Sequence, residues 1–481
     1  MEFMESEDDK EGEDDAGRKE PPSARQSFPF SWRSPDWWPF LLAMLAVPFH
    51  RLYFIFWIHP PTHFVFSDME GYADRAWRLA DPYAQLSIVD MMYPPGTHVL
   101  MAPLMWLVED KEVGLELNQW LWWVLAVGTL WLVGLLALKL FKHPWAAACA
   151  VVLLMLHSGF TAFTGFFMSE SPFSFFMALC LLVGLHARDM DVQRPWRRAL
   201  VYAIAGTTAG LAACIRPQFV FTAMVIGFPL LSLRRPWIRI CEATALAVTF
   251  AIPCVLAMEL NRHAADRFVG MSRNAGLNFY QGHCDVVIIH AVNDGLRAVY
   301  GAPVRIQRMQ RTGGDPDKMT VFHGHHVYDS EFFFDLGETC IEEDGWGHLF
   351  RIYTNVADLF ATTDPWPPRG ELGKVVAWHN EGYCWSLLLI LPTAFWLGRR
   401  RWPEKWLLVQ YLTVMPVALV FYGDPRYRIP YDMFGILMLT GILSWANGWR
   451  SDCSSSAPEE EGEDGDGTGE EARSSQEQTT D

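Results

Sequence analysis

Long apolar runs alternate with short polar connections along this chain, a pattern that predicts membrane-spanning helices rather than one soluble core. A spanning helix needs about 20 predominantly apolar residues. Runs of that kind fall at residues 36–58, 115–138, 144–160, 170–187, 199–215, 217–233, 239–258, 378–398, 404–422 and 431–449. Residues 97–107 are too short to span and are expected to lie at the interface or to re-enter. Between 259 and 377 the pattern is mixed, with Val286-Val287-Ile288-Ile289 as a strand candidate and Gly, Pro and Asp breaks at 313–316. The expected fold is an all-α polytopic membrane protein of about ten transmembrane helices, carrying a mixed α/β extracytoplasmic insertion. The expected divisions are a tail at 1–35, a transmembrane catalytic core at 36–258 with an outer loop at 59–114, the insertion at 259–377, C-terminal helices at 378–449 and a second tail at 450–481.

Orientation follows from Lys and Arg in the short loops. Basic clusters at Lys139/Lys142, Arg188/Arg194/Arg197/Arg198, Arg234/Arg235/Arg239 and Arg399/Arg400/Arg401/Lys405 follow alternate spans and so share one face, which is read as cytoplasmic. Arg18, Lys19, Arg25, Arg33 and Arg450 agree with it, so both termini are expected inside. The 59–114 segment, the turns near 161–169, Arg216 and 423–430, and the insertion then face out. The acidic N-terminus does not read as a cleaved signal peptide, and the first span is expected to be an uncleaved anchor.

Composition changes the picture at one point. Residues 1–20 hold ten acids and three bases and residues 451–481 hold eleven acids and one base, which accounts for the whole formal net charge of −17. The acidity belongs to two tails that read as disordered, and the membrane body is neutral. No basic patch stands out, which disfavours a nucleic-acid partner. Cys284 and Cys340 lie in the insertion, where an oxidising compartment permits a disulfide; spacing alone does not decide the pairing.

Against that neutral body, a few charges need a reason. Asp68 and Glu70 sit in Phe66-Ser67-Asp68-Met69-Glu70-Gly71-Tyr72, followed by Tyr93-Pro94-Pro95-Gly96, whose prolines pin an extended turn at the surface. Solvated loop acids are the ordinary reading; a carboxylate held there and partly desolvated is also suited to act as general base toward a hydroxyl or amine. Asp-x-Glu spacing also allows a divalent cation through oxygen ligands, but two carboxylates do not decide it. Glu170, in Phe167-Met168-Ser169-Glu170-Ser171-Pro172, falls on the same face and also suits a helix start capped by Ser169. Arg51, Arg216, Arg426 and Arg428 lie toward the outer leaflet, against the positive-inside bias. Any one of them can snorkel to headgroups; together they favour an anion site, because the guanidinium fork gives phosphate two parallel charge-assisted bonds. His323-Gly324-His325-His326 reads as an exposed polar loop, its spacing unlike a closed structural zinc site. Nucleotide-binding and nucleophile-elbow motifs are missing from the sequence, so an enzyme here is expected to take a lipid-borne substrate outside the cytosol.

The order of these motifs on one face resembles the GT-C superfamily of membrane glycosyltransferases, with the protein O-mannosyltransferases and lipid A aminoarabinose transferases as the nearest look-alikes. The resemblance covers roughly residues 36–258 and 378–449 and rests on Ser67-Asp68-Met69-Glu70-Gly71-Tyr72, Tyr93-Pro94-Pro95-Gly96, Ser169-Glu170-Ser171-Pro172, Arg216-Pro217 and Arg426-Tyr427-Arg428-Ile429-Pro430. It implies a polyprenyl-phosphate-linked sugar donor, a lipid, protein or glycan acceptor on the outer face, and inversion at the anomeric carbon. It implies Asp68 as base with Glu70 beside it, Glu170 placing the acceptor, and Arg426, Arg428, Arg216 and Arg51 holding the donor phosphate. Tyr72, Tyr93, Pro94, Pro95 and Tyr427 would position the loops, and Asn274, Asn278-Phe279-Tyr280 and Gly282 would lie on the donor side. No cofactor is required on this reading, and the expected location is a bacterial inner membrane. One departure stands out: where those transferases usually carry an acid directly beside the aspartate, Met69 intervenes. A transporter or flippase for a lipid-linked or anionic substrate is the alternative, although no internal repeat of the kind such folds carry is visible. A membrane scaffold using the insertion as a binding module is a third.

Overall fold

The computed structural model describes residues 35–190, 195–223, 236–284, 286–292, 295–300, 320–323, 325–361, 370–399 and 401–449. The two acidic tails, most of the 217–233 run and the 313–316 breaks lie outside the described residues.

The described chain is mostly helical, and its helix ends follow local chemistry. The Lys111–Phe141 helix starts where Asp110 accepts hydrogen bonds from the backbone N–H groups of Glu112 (2.7 Å) and Val113 (3.3 Å), and it stops at Lys142, whose φ of 56° is left-handed. At 1.5 Å per residue it is about 46 Å long, enough to cross the ~30 Å hydrocarbon core. The first helix turns Leu42, Leu45, Phe49, Tyr53 and Trp57 outward, a stripe suited to lipid. The Pro195–Ile215 and Pro236–Ala265 helices pack backbone to backbone. A Cβ at Gly206 would lie 2.3 Å from the Leu246 carbonyl, and one at Gly210 2.4 Å from that of Phe250, so this small-xxx-small spacing is what lets the helices meet.

Among the described residues six helices are long and apolar enough to cross a membrane: Pro35–His63, Lys111–Phe141, Glu170–Asp189, Trp196–Ile215, Ile240–Ala265 and Pro425–Ala446. A seventh span results if Pro144–Leu156 and Ser158–Gly165 count as one. The expectation of about ten spans is met for six or seven of them among the described residues. The 144–160 run is bent by 66° at His157, which leaves the helix at ψ 107° and caps the next one by accepting from the Phe160 N–H. The 404–422 run is two short helices, Trp402–Leu412 and Met415–Val420, because Pro416 cannot continue the hydrogen-bond ladder. The 378–398 run sits inside the longer Gly370–Gly398 helix, whose first half carries His379, Asn380 and Glu381. Gly96–Trp106 is an 11-residue helix, too short to span.

The helices Pro236–Ala265 and Gly370–Gly398 run into the 259–377 segment from either side. Between them lie the Ala275–His283, Ser330–Asp344 and His348–Asp358 helices and three antiparallel strands, Val286–Val292, Gly295–Tyr300 and Thr320–His323, with Ile289 opposite Ala298. Cys284 and Cys340 form a disulfide that joins the first two of these helices. The insertion is tied down on two sides. Arg273 donates its backbone N–H to Met91 O (2.8 Å), and Asn355 Nδ2 donates to Gly282 O (3.0 Å) and Phe421 O (3.1 Å). These ties hold the Ala275–His283 helix against the ends of the spans.

Candidate functional site: an ionic wall beside a cavity

A cavity of about 530 Å³ opens between the insertion and the helix ends. Asp68, Arg216 and Arg426 are the charged residues in its lining. They come from three separate stretches of the chain and converge because each stands at an element boundary. Asp68 is the first residue of the Asp68–Ala80 helix. Ser67 before it holds a φ of 53°, a left-handed value a non-glycine residue adopts only when its surroundings over-determine it. Arg216 ends the Pro195–Ile215 helix, and Arg426 lies in the one-turn Pro425–Arg428 helix, whose start Asp424 caps through the Arg426 N–H (2.7 Å).

The connections are explicit. Asp68 Oδ1 accepts from the Tyr93 hydroxyl, and Asp68 Oδ2 accepts from Arg426 Nη1 at 3.0 Å. Behind them Glu170, 2% exposed, accepts on one oxygen from both Arg216 Nη2 and Arg426 Nε. Arg216 Nε donates to Ser169 Oγ at 2.9 Å, so the Ser169 hydroxyl is spent on Arg216 and makes no cap to its helix, contrary to the capping reading. Arg216 Nη1 is buried with no hydrogen-bond partner among the described residues. Formally the wall holds two carboxylates and two guanidinium groups. It is neutral, and one of its cationic nitrogens is unused.

The Tyr-Pro-Pro-Gly stretch sets the distance between its parts. A Cβ at Gly96 would lie 2.6 Å from the backbone of Cys214 and Ile215, so only glycine brings this loop against the Arg216 turn. Pro95 caps the helix that begins there, and Pro94 lines the cavity. Tyr93 packs on Tyr72 with ring centroids 4.9 Å apart and planes tilted by 39°, and has Arg75 over its face at 4.7 Å. Burial and the Asp68 carboxylate push the Tyr93 phenol well above its ordinary value, and burial pushes Tyr72 up to about 12, so both stay protonated donors. Tyr427 lies 5.6 Å below the Arg216 guanidinium.

The remaining candidates separate from this wall. Glu70 is exposed and does not line the cavity, because the acidic stretch is a helix start and positions two apart on a helix face different ways. Arg428 is fully buried away from the cavity, donating through Nε to Asp432 (3.0 Å) and through its other nitrogens to Leu359 O (3.1 Å) and Asn380 Oδ1. Arg51 is also fully buried, outside the cavity lining, with no partner for its guanidinium among the described residues. His325 stacks on Phe332 at 3.6 Å, and among the described residues no three His, Cys, Asp or Glu side chains are grouped to hold a metal ion. Asn274 and Asn278 do line the cavity, whereas Phe279, Tyr280 and Gly282 do not. Ser272, Gln281 and Tyr422 line it without having been singled out from sequence; for Gln281 the signal was its spacing from the two asparagines.

No curated protein matches this sequence. Among solved structures, the oligosaccharyltransferase AglB of Archaeoglobus fulgidus in complex with an inhibitory peptide and a dolichol-phosphate is similar at 14% identity, with a TM-score of 0.47, over 85% of this chain and 51% of that one. The apo form of the Archaeoglobus fulgidus oligosaccharyltransferase is similar at 14% identity and a TM-score of 0.48, over 87% and 52%. The chain spans about half the length of the solved structures it matches. The model of glycosyltransferase family 87 matches residues 92–296, a stretch that holds the Tyr-Pro-Pro-Gly loop, Glu170, Arg216 and the Ala275–His283 helix, and this bears out the resemblance to membrane glycosyltransferases of the GT-C superfamily.

Proposed function

We propose that this protein transfers a sugar from a polyprenyl-phosphate donor to an acceptor on the extracytoplasmic face of the membrane, with inversion and with Asp68 as general base. The observation that carries this reading is the neutral wall of Asp68, Glu170, Arg216 and Arg426 beside a cavity of about 530 Å³. The acceptor hydroxyl attacks the anomeric carbon, the new C–O bond forms, and the bond to the phosphate oxygen breaks. The acceptor proton goes to Asp68, and the bonding electron pair leaves with the lipid phosphate.

The charge changes in this step support one another. As Asp68 gains a proton, Arg426 loses the charge of one partner at the moment the phosphate gains charge. Arg216 Nη1 is a further buried donor with no partner among the described residues. Glu170 is a positioning residue in this scheme, since it holds both arginines without lining the cavity. Spans below the cavity suit the lipid tail of the donor and bring it to the acceptor at the surface. The extracytoplasmic assignment is supported by the disulfide in the insertion that borders the cavity, because such bonds persist in oxidising compartments.

Asp68→Asn tests the base. It keeps the size and the hydrogen bond from Tyr93 but cannot take a proton, so turnover in reconstituted vesicles is expected to fall about 10²- to 10⁴-fold, with membrane insertion unchanged. Wild-type turnover in that variant would remove Asp68 from the chemistry.

A further inference from the structure

The His348–Asp358 helix of the insertion has two faces of opposite character. His348, Arg351 and Asn355, at i, i+3 and i+7, are buried against the body of the protein. Apart from His348, the helix carries two ionisable side chains: Arg351, paired with Asp344 at 2.9 Å, and Asp358 at its last position. The other face, with the turn before it, presents Trp346, Leu349, Phe350 and Tyr353, which are 58% to 89% exposed. A helix facing water turns its polar residues outward. Here the polar residues point in and the large apolar ones point out.

The position of this helix says what covers that stripe. The Pro425–Ala446 span has 22 residues. At 1.5 Å per residue it is about 33 Å long, little more than the ~30 Å hydrocarbon core, so Pro425 stands close to one boundary. The His348–Asp358 helix is fixed at that end. A Cβ at Gly423 would lie 1.7 Å from Asn355 O, and Asn355 Nδ2 donates to Phe421 O at 3.1 Å. Leu359 O, one residue past the helix, accepts from Arg428 Nη1 at 3.1 Å. The Met415–Val420 helix that it packs against leaves Leu419 and Val420 exposed as well, so apolar surface is not confined to the stripe.

We infer that this helix is an interfacial anchor whose Trp346, Leu349, Phe350 and Tyr353 side chains sit in the headgroup region of the bilayer. Trp and Tyr join a large apolar ring to a polar edge, which suits the boundary between headgroups and acyl chains. A stripe without charge binds there through the apolar area it buries. The inference rests on the membrane spans and not on sugar transfer. Its consequence for the cavity is mechanical. Asn355 Nδ2 also donates to Gly282 O at 3.0 Å, and His348 Nε2 lies 2.8 Å from His283 Nδ1, so the anchor and the Ala275–His283 helix beside the cavity form one packed unit.

The test places the photoreactive residue p-benzoylphenylalanine at Leu349, Phe350 or Tyr353, one position at a time, in the full chain reconstituted in vesicles of phosphatidylethanolamine and phosphatidylglycerol. Mass analysis after illumination is expected to find phospholipid adducts at all three positions, about tenfold above the yield at the exposed Glu338 of the Ser330–Asp344 helix. Phe350→Asp combined with Tyr353→Asp is expected to bring the adduct at Leu349 down to the Glu338 level. Adducts to a second copy of the chain in place of lipid, or a yield at the three positions no higher than at Glu338, would overturn the anchor. Each single probe replaces one large exposed side chain by another, so a folding defect in the double variant leaves the three single positions to decide. The readout involves no turnover, and it stands whichever way Asp68→Asn turns out.

Discussion

Arg426 and Arg428 stand two residues apart and end in different regions. Arg426 reaches a cavity wall where Asp68 remains 21% exposed, and its partners come from segments far away in sequence. Arg428 points into the helix packing, where it and Asp432 are both fully buried; Tyr411 donates to Asp432 at 3.3 Å and His157 Nε2 lies 3.4 Å from it. Both clusters pair arginine with carboxylate. One is open on a face, keeps a guanidinium nitrogen without a partner among the described residues and, under the proposed function, suits an incoming anion; the other is closed and holds the Pro425–Arg428 turn in place. Charge at membrane depth is therefore not one signal, because what surrounds it decides whether it binds or braces.

The sharpest way to break this comparison is to delete each arginine. Arg428→Ala is expected to cost about 3–5 kcal/mol by stranding Asp432, read as a lowered melting temperature in detergent, while replacing the pair together by Met and Leu should recover most of that loss. Arg426→Ala should lower stability much less and donor-phosphate affinity much more. If Arg428→Ala weakened donor binding at unchanged stability, the bracing role would be wrong. A smaller effect is expected where the insertion meets the core. His283 Nδ1 and His348 Nε2 are 2.8 Å apart and His283 Nε2 lies 2.9 Å from Val420 O, in surroundings whose burial pushes His283 down to about 4. Val420 O accepts from the ring, while His348 and Arg351 disfavour a second positive charge there. The folded state keeps His283 neutral while the unfolded chain binds a proton near pH 6.5, so stability should fall as pH drops through 6.5 toward 4 and hold steady above it. Thermal melts across that range, with His283→Gln flattening the dependence, read it out. Glu70→Gln should have the smallest effect, with turnover within about twofold of wild type, as expected for a group that touches no reacting atom; a hundredfold loss would return Glu70 to the site.

Much of the candidate site was legible from sequence because it consists of charges near the ends of apolar runs, where a charge needs a reason. Asp68, Glu170, Arg216 and Arg426 each stood out alone, and Tyr93-Pro94-Pro95-Gly96 stood out as a stiff turn. Legibility failed where geometry at short range decided. Glu70 looked like a partner of Asp68 in a loop, but a helix begins at Asp68 and turns it away. Arg428 looked like a twin of Arg426, but a helical turn sends residues two positions apart to different sides. Helix continuity was not legible at His157 and Pro416, where a bend or a missing N–H interrupts a run that composition alone reads as continuous.

The sequence by itself determined that the chain is helical and apolar, that its net charge belongs to its two tails, and which charges beside apolar runs required an explanation, because these depend on composition and spacing. Only the tertiary structure decided which charges meet. Asp68 and Arg426 are 358 positions apart, and no local pattern encodes a contact of that separation. It is set by helix packing and by Gly96 admitting the Tyr-Pro-Pro-Gly loop against the Arg216 turn.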